Sequence, residues 1–252
     1  MNNKEKFSNR IISACRRLGS RGLCYGPGGN ISFRLPEDGL IICSPSGIPL
    51  AEMTPSDLCV VKIRKENEID TNNYFNVISG KYKPTSEINI HCMIYMTRPD
   101  ISAVIHLHPI FITALSCTEE GIDFDLTEDR KYYIGNIGFV PFLPGGSPEL
   151  TKEVARSAQD NNLIICENHG IFTLGSNLSE AVNVTELAEG LAKLDFVARI
   201  STKKKIKFSD TADMTGYGDK KRINTSGSIN TETDLYESVK SSLIYRDEIF
   251  DN

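Results

Sequence analysis

The chain carries only four histidines, and two of them form His106-Leu107-His108 directly after the apolar run Ala103-Val104-Ile105. Side chains two residues apart on a strand lie on one face, so both imidazoles can reach a single ion. The other reading is a pair of hydrogen-bonded core histidines. Burying two neutral imidazoles side by side needs two sets of partners, which leaves the two readings evenly matched on spacing alone. His169 tips the balance towards metal. It follows Leu163-Ile164-Ile165-Cys166 and precedes Gly170, where a strand ends in a tight turn. Three neutral imidazoles leave a position open on a Zn²⁺-like ion for water or a substrate oxygen, the pattern of a catalytic site. His91, four residues after Glu87 in a helical pattern, is expected to be a packing or surface residue.

Glu87 stands behind Thr85-Ser86 in the first turn of a helix. Spacing favours a helix-capping carboxylate. The functional reading is a carboxylate beside the ion that alternates between ligand and general base. Three small polar turns, Gly29-Asn30, Ser46-Gly47 and Thr85-Ser86, could each present N–H and hydroxyl donors to an anion, the third with a helix dipole behind it. Each alone is ordinary turn chemistry. Neither a phosphate-binding Walker pattern nor a dinucleotide fingerprint is present.

The elements that must position these groups are read from periodicity. Phe7, Ile11, Ile12, Cys15 and Leu18 predict a helix that Gly19 and Gly22 close. Strands are expected at 31–35, 40–43 and 58–63, with a polar hairpin-like connection at 65–70. Pro84-Thr85-Ser86-Glu87 opens a helix with Ile90, Met93 and Ile94 on its apolar face, and 102–108 is a buried strand. Residues 150–161 read as a helix and 163–167 as a strand that 171–174 continues. A long amphipathic helix is expected over 178–200. Residues 1–202 are expected to form one catalytic domain. Residues 203–252 are expected to form a polar, mobile tail with a short helix between Thr231 and Ile244.

Composition narrows the function classes. A length of 252 residues with 40% apolar content supports one substantial α/β domain. A net charge of −5 gives no electrostatic case for nucleic acid or an anionic membrane, and the run Lys203-Lys204-Lys205 reads as a solvated helix end. The polar start Met1-Asn2-Asn3-Lys4-Glu5-Lys6 lacks the features of a signal peptide, and no apolar run approaches the roughly 20 residues of a membrane span. Seven scattered cysteines without a C-x-x-C pair point to reduced thiols in a cytoplasmic protein.

Taken in order, several segments resemble the class II aldolase/adducin family, with a fuculose-phosphate aldolase-like pattern. They are Gly29-Asn30-Ile31-Ser32, Ser44-Pro45-Ser46-Gly47-Ile48-Pro49, Pro84-Thr85-Ser86-Glu87, Arg98-Pro99-Asp100, His106-Leu107-His108, Pro144-Gly145-Gly146-Ser147-Pro148-Glu149-Leu150 and Asn168-His169-Gly170. The resemblance implies an α/β fold, a three-layer α/β/α sandwich around a mixed, largely antiparallel sheet. It also implies a homotetramer with active sites between subunits. His106, His108 and His169 would hold Zn²⁺, or Mn²⁺ or another divalent ion, and Glu87 would be the acid/base. Gly29, Asn30, Ser46, Gly47, Thr85 and Ser86 would bind the phosphate of a small phosphorylated sugar. The reaction implied is cleavage of a phosphorylated ketose to dihydroxyacetone phosphate and an aldehyde through a metal-stabilised enediolate.

The distal proton donor, a tyrosine in the family, has no aligned counterpart, since Thr127 stands there. Tyr132, Tyr133 and Tyr217 are the substitutes, unranked. Lysine replaces the aspartate that family epimerases need in Lys131-Tyr132-Tyr133-Ile134-Gly135, which argues against epimerisation. The alternative reaction is decarboxylation of a phosphorylated 3-oxo sugar acid, ahead of epimerisation or dehydration. A non-enzymatic adducin-like binding module ranks last, because all three histidines and Glu87 are present.

Overall fold

The computed structural model describes residues 3–37, 39–69 and 73–201. The expected tail at 203–252, its short helix and Lys203-Lys204-Lys205 lie outside the described residues.

Eight strands form one sheet: β1 (Asn30–Arg34), β2 (Leu40–Cys43), β3 (Cys59–Ile63), β4 (Phe75–Ser79), β5 (Ala103–Leu107), β6 (Ile137–Val140), β7 (Leu163–Cys166) and β8 (Gly170–Gly175). Their order across the sheet is β4-β3-β2-β1-β5-β8-β7-β6. Every pairing is antiparallel except β6 with β7. The helices are α1 (Asn3–Ser20), α2 (Ile88–Thr97), α3 (Ile110–Ser116), α4 (Pro148–Ser157) and α5 (Leu178–Ser201). Residues of α1 and α5 close a core against one face of the sheet, and α3 with α5 extends it towards β7 and β8. On the other face α2 and α4 pack over Val104, Ile164, Phe172 and Leu174. This is the expected three-layer sandwich with a mixed, mostly antiparallel sheet. No helix among the described residues is long and apolar enough to cross a membrane.

Covering both faces explains why β5, β7 and β8 are buried at every position and read as continuous apolar runs rather than alternating ones. Helix α4 starts where its caps dictate: Ser147 accepts from the Leu150 amide at 3.1 Å and Pro148 follows at the first helical position. The segment Arg98-Pro99-Asp100 ties layers together. Arg98 pairs with Asp100 (2.6 Å) and donates to the Ala158 carbonyl (2.7 Å) beyond α4.

The structure departs from the periodicity at five elements. Helix α1 runs on through Gly19, whose missing side chain admits Ala51: a Cβ there would lie 2.7 Å from the Ala51 Cβ. Strand β4 escapes the pattern because it is an edge strand with three of its five residues exposed. Strand β6 and helix α3 are too short for a period to show. The stretch 163–174 is not one continued strand but a hairpin, in which β7 and β8 pair antiparallel around Glu167-Asn168-His169.

Helix α3 begins two residues after His108, and its N-terminus is capped from a distance. Glu189 of α5 accepts from the amides of Phe111 (3.0 Å) and Ile112 (2.9 Å), while burial pushes its carboxyl up from the ordinary value. Glu189→Ala strands both amides in a buried setting. Urea unfolding should show a loss of about 1–2 kcal/mol, and an unchanged midpoint would remove this cap from the account.

Candidate metal centre and anion cradle

The site lies where the end of β5, the start of β1 and the β7–β8 turn converge. Register places it: Asn30 pairs with His106 across β1 and β5, and His106 pairs with Phe172 across β5 and β8. Asn30, His106 and Phe172 therefore share the sheet face covered by α2. His106 is fully buried and stacks on Phe172 with centroids 4.2 Å apart. Its Nδ1 donates to the Ile171 carbonyl at 2.9 Å, which leaves the Nε2 lone pair pointing into the site. His108 brings its Nε2 to 2.9 Å from that of His106. His169 joins from the hairpin, with its ring centroid 4.8 Å from His106 and 5.1 Å from His108.

Two backbone features permit this approach. Asn168 adopts φ +55°, the left-handed region that asparagine tolerates better than most residues, and so turns the chain to present His169. Gly170 follows, and a Cβ there would lie 2.6 Å from the His108 ring. Opposite, Gly29 sits at φ +87°, and a Cβ there would meet the His106 carbonyl oxygen at 2.8 Å.

Glu87 precedes α2 but does not cap it, for its carboxylate makes no bond to the helix. Instead Oε2 accepts from Asn30 Nδ2 (2.8 Å) and lies 3.1 Å from His106 Nε2, while Oε1 lies 3.6 Å from His169 Nε2. Oε1 is buried with no hydrogen-bond partner among the described residues. Burial pushes the Glu87 carboxyl up, but neighbouring His106 and the Asn30 hydrogen bond outweigh it and hold the group below its ordinary value. Glu87 is thus an anion at neutral pH. Burial pushes His106 down to about 3 and also lowers His108, so both rings are neutral, the form in which imidazole binds metal.

This donor set fits a divalent cation. A lone-pair nitrogen 3.1 Å from an anionic oxygen, beside a second buried oxygen without a partner, is unfavourable unless positive charge sits among them. The ligand-bearing atoms of His106, His108 and His169 all lie within 4.8 Å of one another.

A cavity of about 270 Å³ opens beside the histidines, lined by Gly29, Asn30, Ser46, Gly47, Thr85 and Ser86 together with Glu87, His108 and His169. Two of the three turns are laced together by their own backbone: the Ser46 amide donates to the Lys83 carbonyl and the Thr85 amide to the Ser44 carbonyl. Those two amides are spent, so the donors at this corner are the hydroxyls of Ser46, Thr85 and Ser86 and the amides of Gly47 and Ser86. Gly145 also lines the cavity near His169. Tyr132 and Tyr133 sit on a one-turn π-helix, Arg130–Ile134, and do not line this cavity. Tyr217 lies outside the described residues.

The residues match the model of the Class II Aldolase and Adducin N-terminal domain over 9–196. The chain belongs to the class II aldolase/adducin family. Its relatives include the L-fuculose phosphate aldolases of Methanocaldococcus jannaschii, 37% identical over 73% of this chain and 93% of that one, and of Methanococcus maripaludis strain S2, 36% identical over 74% and 94%. The 3-oxo-tetronate 4-phosphate decarboxylase of Escherichia coli K12 is 34% identical over 70% of this chain and 80% of that one. Among solved structures, YgbL from Klebsiella pneumoniae superposes with a TM-score of 0.72 at 30% identity, covering 84% of this chain and 97% of that one. An L-fuculose 1-phosphate aldolase gives a TM-score of 0.63 at 26% identity, covering 84% and 95%. Relatives of this class II aldolase-family protein act on phosphorylated sugars, and its histidine triad suits a divalent metal.

Of the two expectations for His91, packing or surface, the structure gives the first: it is fully buried against Phe172, and it also bonds to Asn30, the side chain that holds Glu87. The spacing Glu87, His91, Tyr95, one helical face at every fourth position, is the signal that marks it.

Two measurements follow. Wild-type protein should bind one divalent ion per chain by calorimetric titration, and His106→Ala should weaken that binding at least about 100-fold; equal affinities would remove His106 from the ligand set. Burial pushes His91 to about 4 and His106 to about 3, against 6.5 for an ordinary imidazole. The unfolded chain therefore gains protons near pH 6.5 that the fold refuses, and stability falls as pH drops below that value. In metal-stripped protein, each histidine should contribute a loss of about 1.4 kcal/mol per pH unit below 6. A melting temperature constant from pH 7 to 5 would contradict this.

Proposed function

We propose that the protein is a divalent-metal-dependent lyase that cleaves a phosphorylated ketose into dihydroxyacetone phosphate and an aldehyde. The observation that carries this reading is the free oxygen of Glu87. An ionised carboxylate with Oε1 unpartnered stands between three convergent imidazoles and a polar cradle suited to a phosphate. His106, His108 and His169 would hold the ion, with Zn²⁺ favoured by three nitrogen donors and Mn²⁺ the next choice. When bound, such an ion supplies a Lewis acid for the carbonyl and adjacent hydroxyl oxygens of the ketose.

The chain's own residues supply the rest. Gly29, Asn30, Ser46, Gly47, Thr85 and Ser86 seat the phosphate and so set the reach of the sugar towards Glu87. As the carbon–carbon bond breaks, the hydroxyl beside it becomes the aldehyde and gives up its proton; the ionised Glu87 takes up that proton and delivers it from Oε1 to the carbon that keeps the electron pair. In condensation the same oxygen removes it. The hydroxyl at the aldehyde end is assigned to a tyrosine, Tyr132, Tyr133 or Tyr217, acting in a homotetramer with sites between subunits. The seven cysteines, all free thiols, support a cytoplasmic setting.

Decarboxylation of a phosphorylated 3-oxo sugar acid is the second reading, favoured by one observation: no tyrosine among the described residues lines the cavity. Loss of CO₂ generates the same kind of electron-rich carbon with no hydroxyl proton to remove at a departing aldehyde, and the Escherichia coli relative carries such a name. Assaying triose phosphate against CO₂ with each substrate class separates the two. Triose phosphate, abolished by EDTA, is expected; CO₂ alone would install the second reading. Activity indifferent to EDTA would overturn both. Glu87→Gln should lower kcat by about 10²–10⁴ with KM within a few-fold of wild type, and an unchanged kcat would remove Glu87 from the chemistry.

A further inference from the structure

Behind Glu87 runs a line of buried polar side chains, of which Asn30 alone also lines the cavity. Glu87, His91 and Tyr95 occupy one face of α2 at four-residue spacing, and Asn30 and Ser32 occupy the facing side of β1 at two-residue spacing. The two rows interlock. Tyr95 OH lies 2.9 Å from Ser32 Oγ, Ser32 Oγ 2.7 Å from His91 Nδ1, His91 Nε2 2.6 Å from Asn30 Oδ1, and Asn30 Nδ2 2.8 Å from Glu87 Oε2. All five side chains are buried, beside the apolar cluster that α2 and α4 close over the sheet.

The direction of every bond follows from donor and acceptor capacity. A carboxylate only accepts, so Asn30 must turn its amide nitrogen to Glu87 and its oxygen to His91. His91 must then donate from Nε2, which makes Nδ1 an acceptor. Ser32 must donate to Nδ1, and its oxygen is left to accept from Tyr95. One arrangement alone satisfies all four contacts. Reversing the imidazole tautomer would set Asn30 Oδ1 against the carboxylate, two acceptors 2.8 Å apart.

We propose that His91 is a positioning residue for the proton carrier: its Nε2–H orients the Asn30 amide so that Glu87 Oε2 is engaged and Oε1 alone faces the substrate. This rests on Glu87 being the proton carrier. His91 touches neither substrate nor ion; it acts through Asn30. Packing alone would be served by an apolar residue of similar volume, which would avoid the cost of burying a polar ring.

The first test does not involve activity. Protein labelled with ¹⁵N-histidine, with His91 assigned by the resonance lost in His91→Gln, should show His91 as the Nε2–H tautomer in long-range ¹H–¹⁵N spectra at neutral pH. An Nδ1–H tautomer or an imidazolium would overturn the proposal whatever the enzyme does. The second test is kinetic. His91→Leu should lower kcat roughly 10- to 100-fold while KM and bound metal per chain stay near wild type. His91→Gln, whose amide nitrogen reaches the position of Nε2, should recover most of that loss. A kcat for His91→Leu within twofold of wild type, or a loss shared equally by KM and metal content and not rescued by glutamine, would overturn it. If Glu87→Gln were fully active, the proton-carrier reading would fall while the tautomer result stood, so the two failures are distinguishable.

Discussion

Strand β5 is hydrogen-bonded on both sides, to β1 through the pair Asn30–His106 and to β8 through the pair His106–Phe172, and the position of each group in the site derives from that double register. Side chains alternate across a sheet, so a slip of one residue would send His106 into the core beneath α1 and α5 and bring Leu107 to the α2 side. The slip is opposed by burial itself. Ile105 and Leu107 belong to the core on one face and Val104 to the core on the other, so each strand position is committed to a side by its size and polarity. The apolar packing of three strands thus sets the position of an ion site built from polar side chains.

Around that register the structure spends local conformational freedom where polar groups must approach closely. Asn168 in the left-handed region and Gly170 behind it carry His169 over β5, while Gly29 lets the first glycine-rich turn pass over the His106 carbonyl. The Glu189 carboxylate, reaching from α5 to the start of α3, holds the other end of the His108 segment. The three histidines are therefore braced from the hairpin, the neighbouring strand and a remote helix. Such bracing keeps ligand geometry independent of any single loop.

Charge is managed by the same economy. Burial keeps His106 and His91 neutral and would also disfavour an ionised Glu87, were Asn30 and the histidines not gathered about it. One oxygen of that carboxylate is held and the other is free. The asymmetry matters chemically, because a carboxylate with both oxygens engaged is a poor proton carrier and one with neither engaged is poorly aimed.

Much of this was legible in the residues. The alternation at His106 and His108, the turn at His169 and the polar small-residue turns at 29–30, 46–47 and 85–86 are local patterns, and local patterns survive in sequence because strand and turn geometry depend on near neighbours. Strand β4 and the hairpin at 163–175 were not legible. An exposed edge strand has no apolar period, and two fully buried strands read as one apolar run until pairing separates them. The role of His91 was hidden for a different reason: its partners Asn30 and Ser32 lie about 60 residues away, beyond the reach of any periodicity.

On spacing alone His106 and His108 are as consistent with a satisfied core pair as with a metal site, and His169 tips that balance towards metal. The sequence by itself determined which side chains could share a face and which turns could present donors, since those follow from backbone geometry over a few residues. Only the tertiary structure decided that Glu87 does not cap its helix but meets the imidazoles, with one oxygen held and one free. That outcome depends on a strand register and a helix face set by packing over the whole domain, which no short stretch of chain encodes.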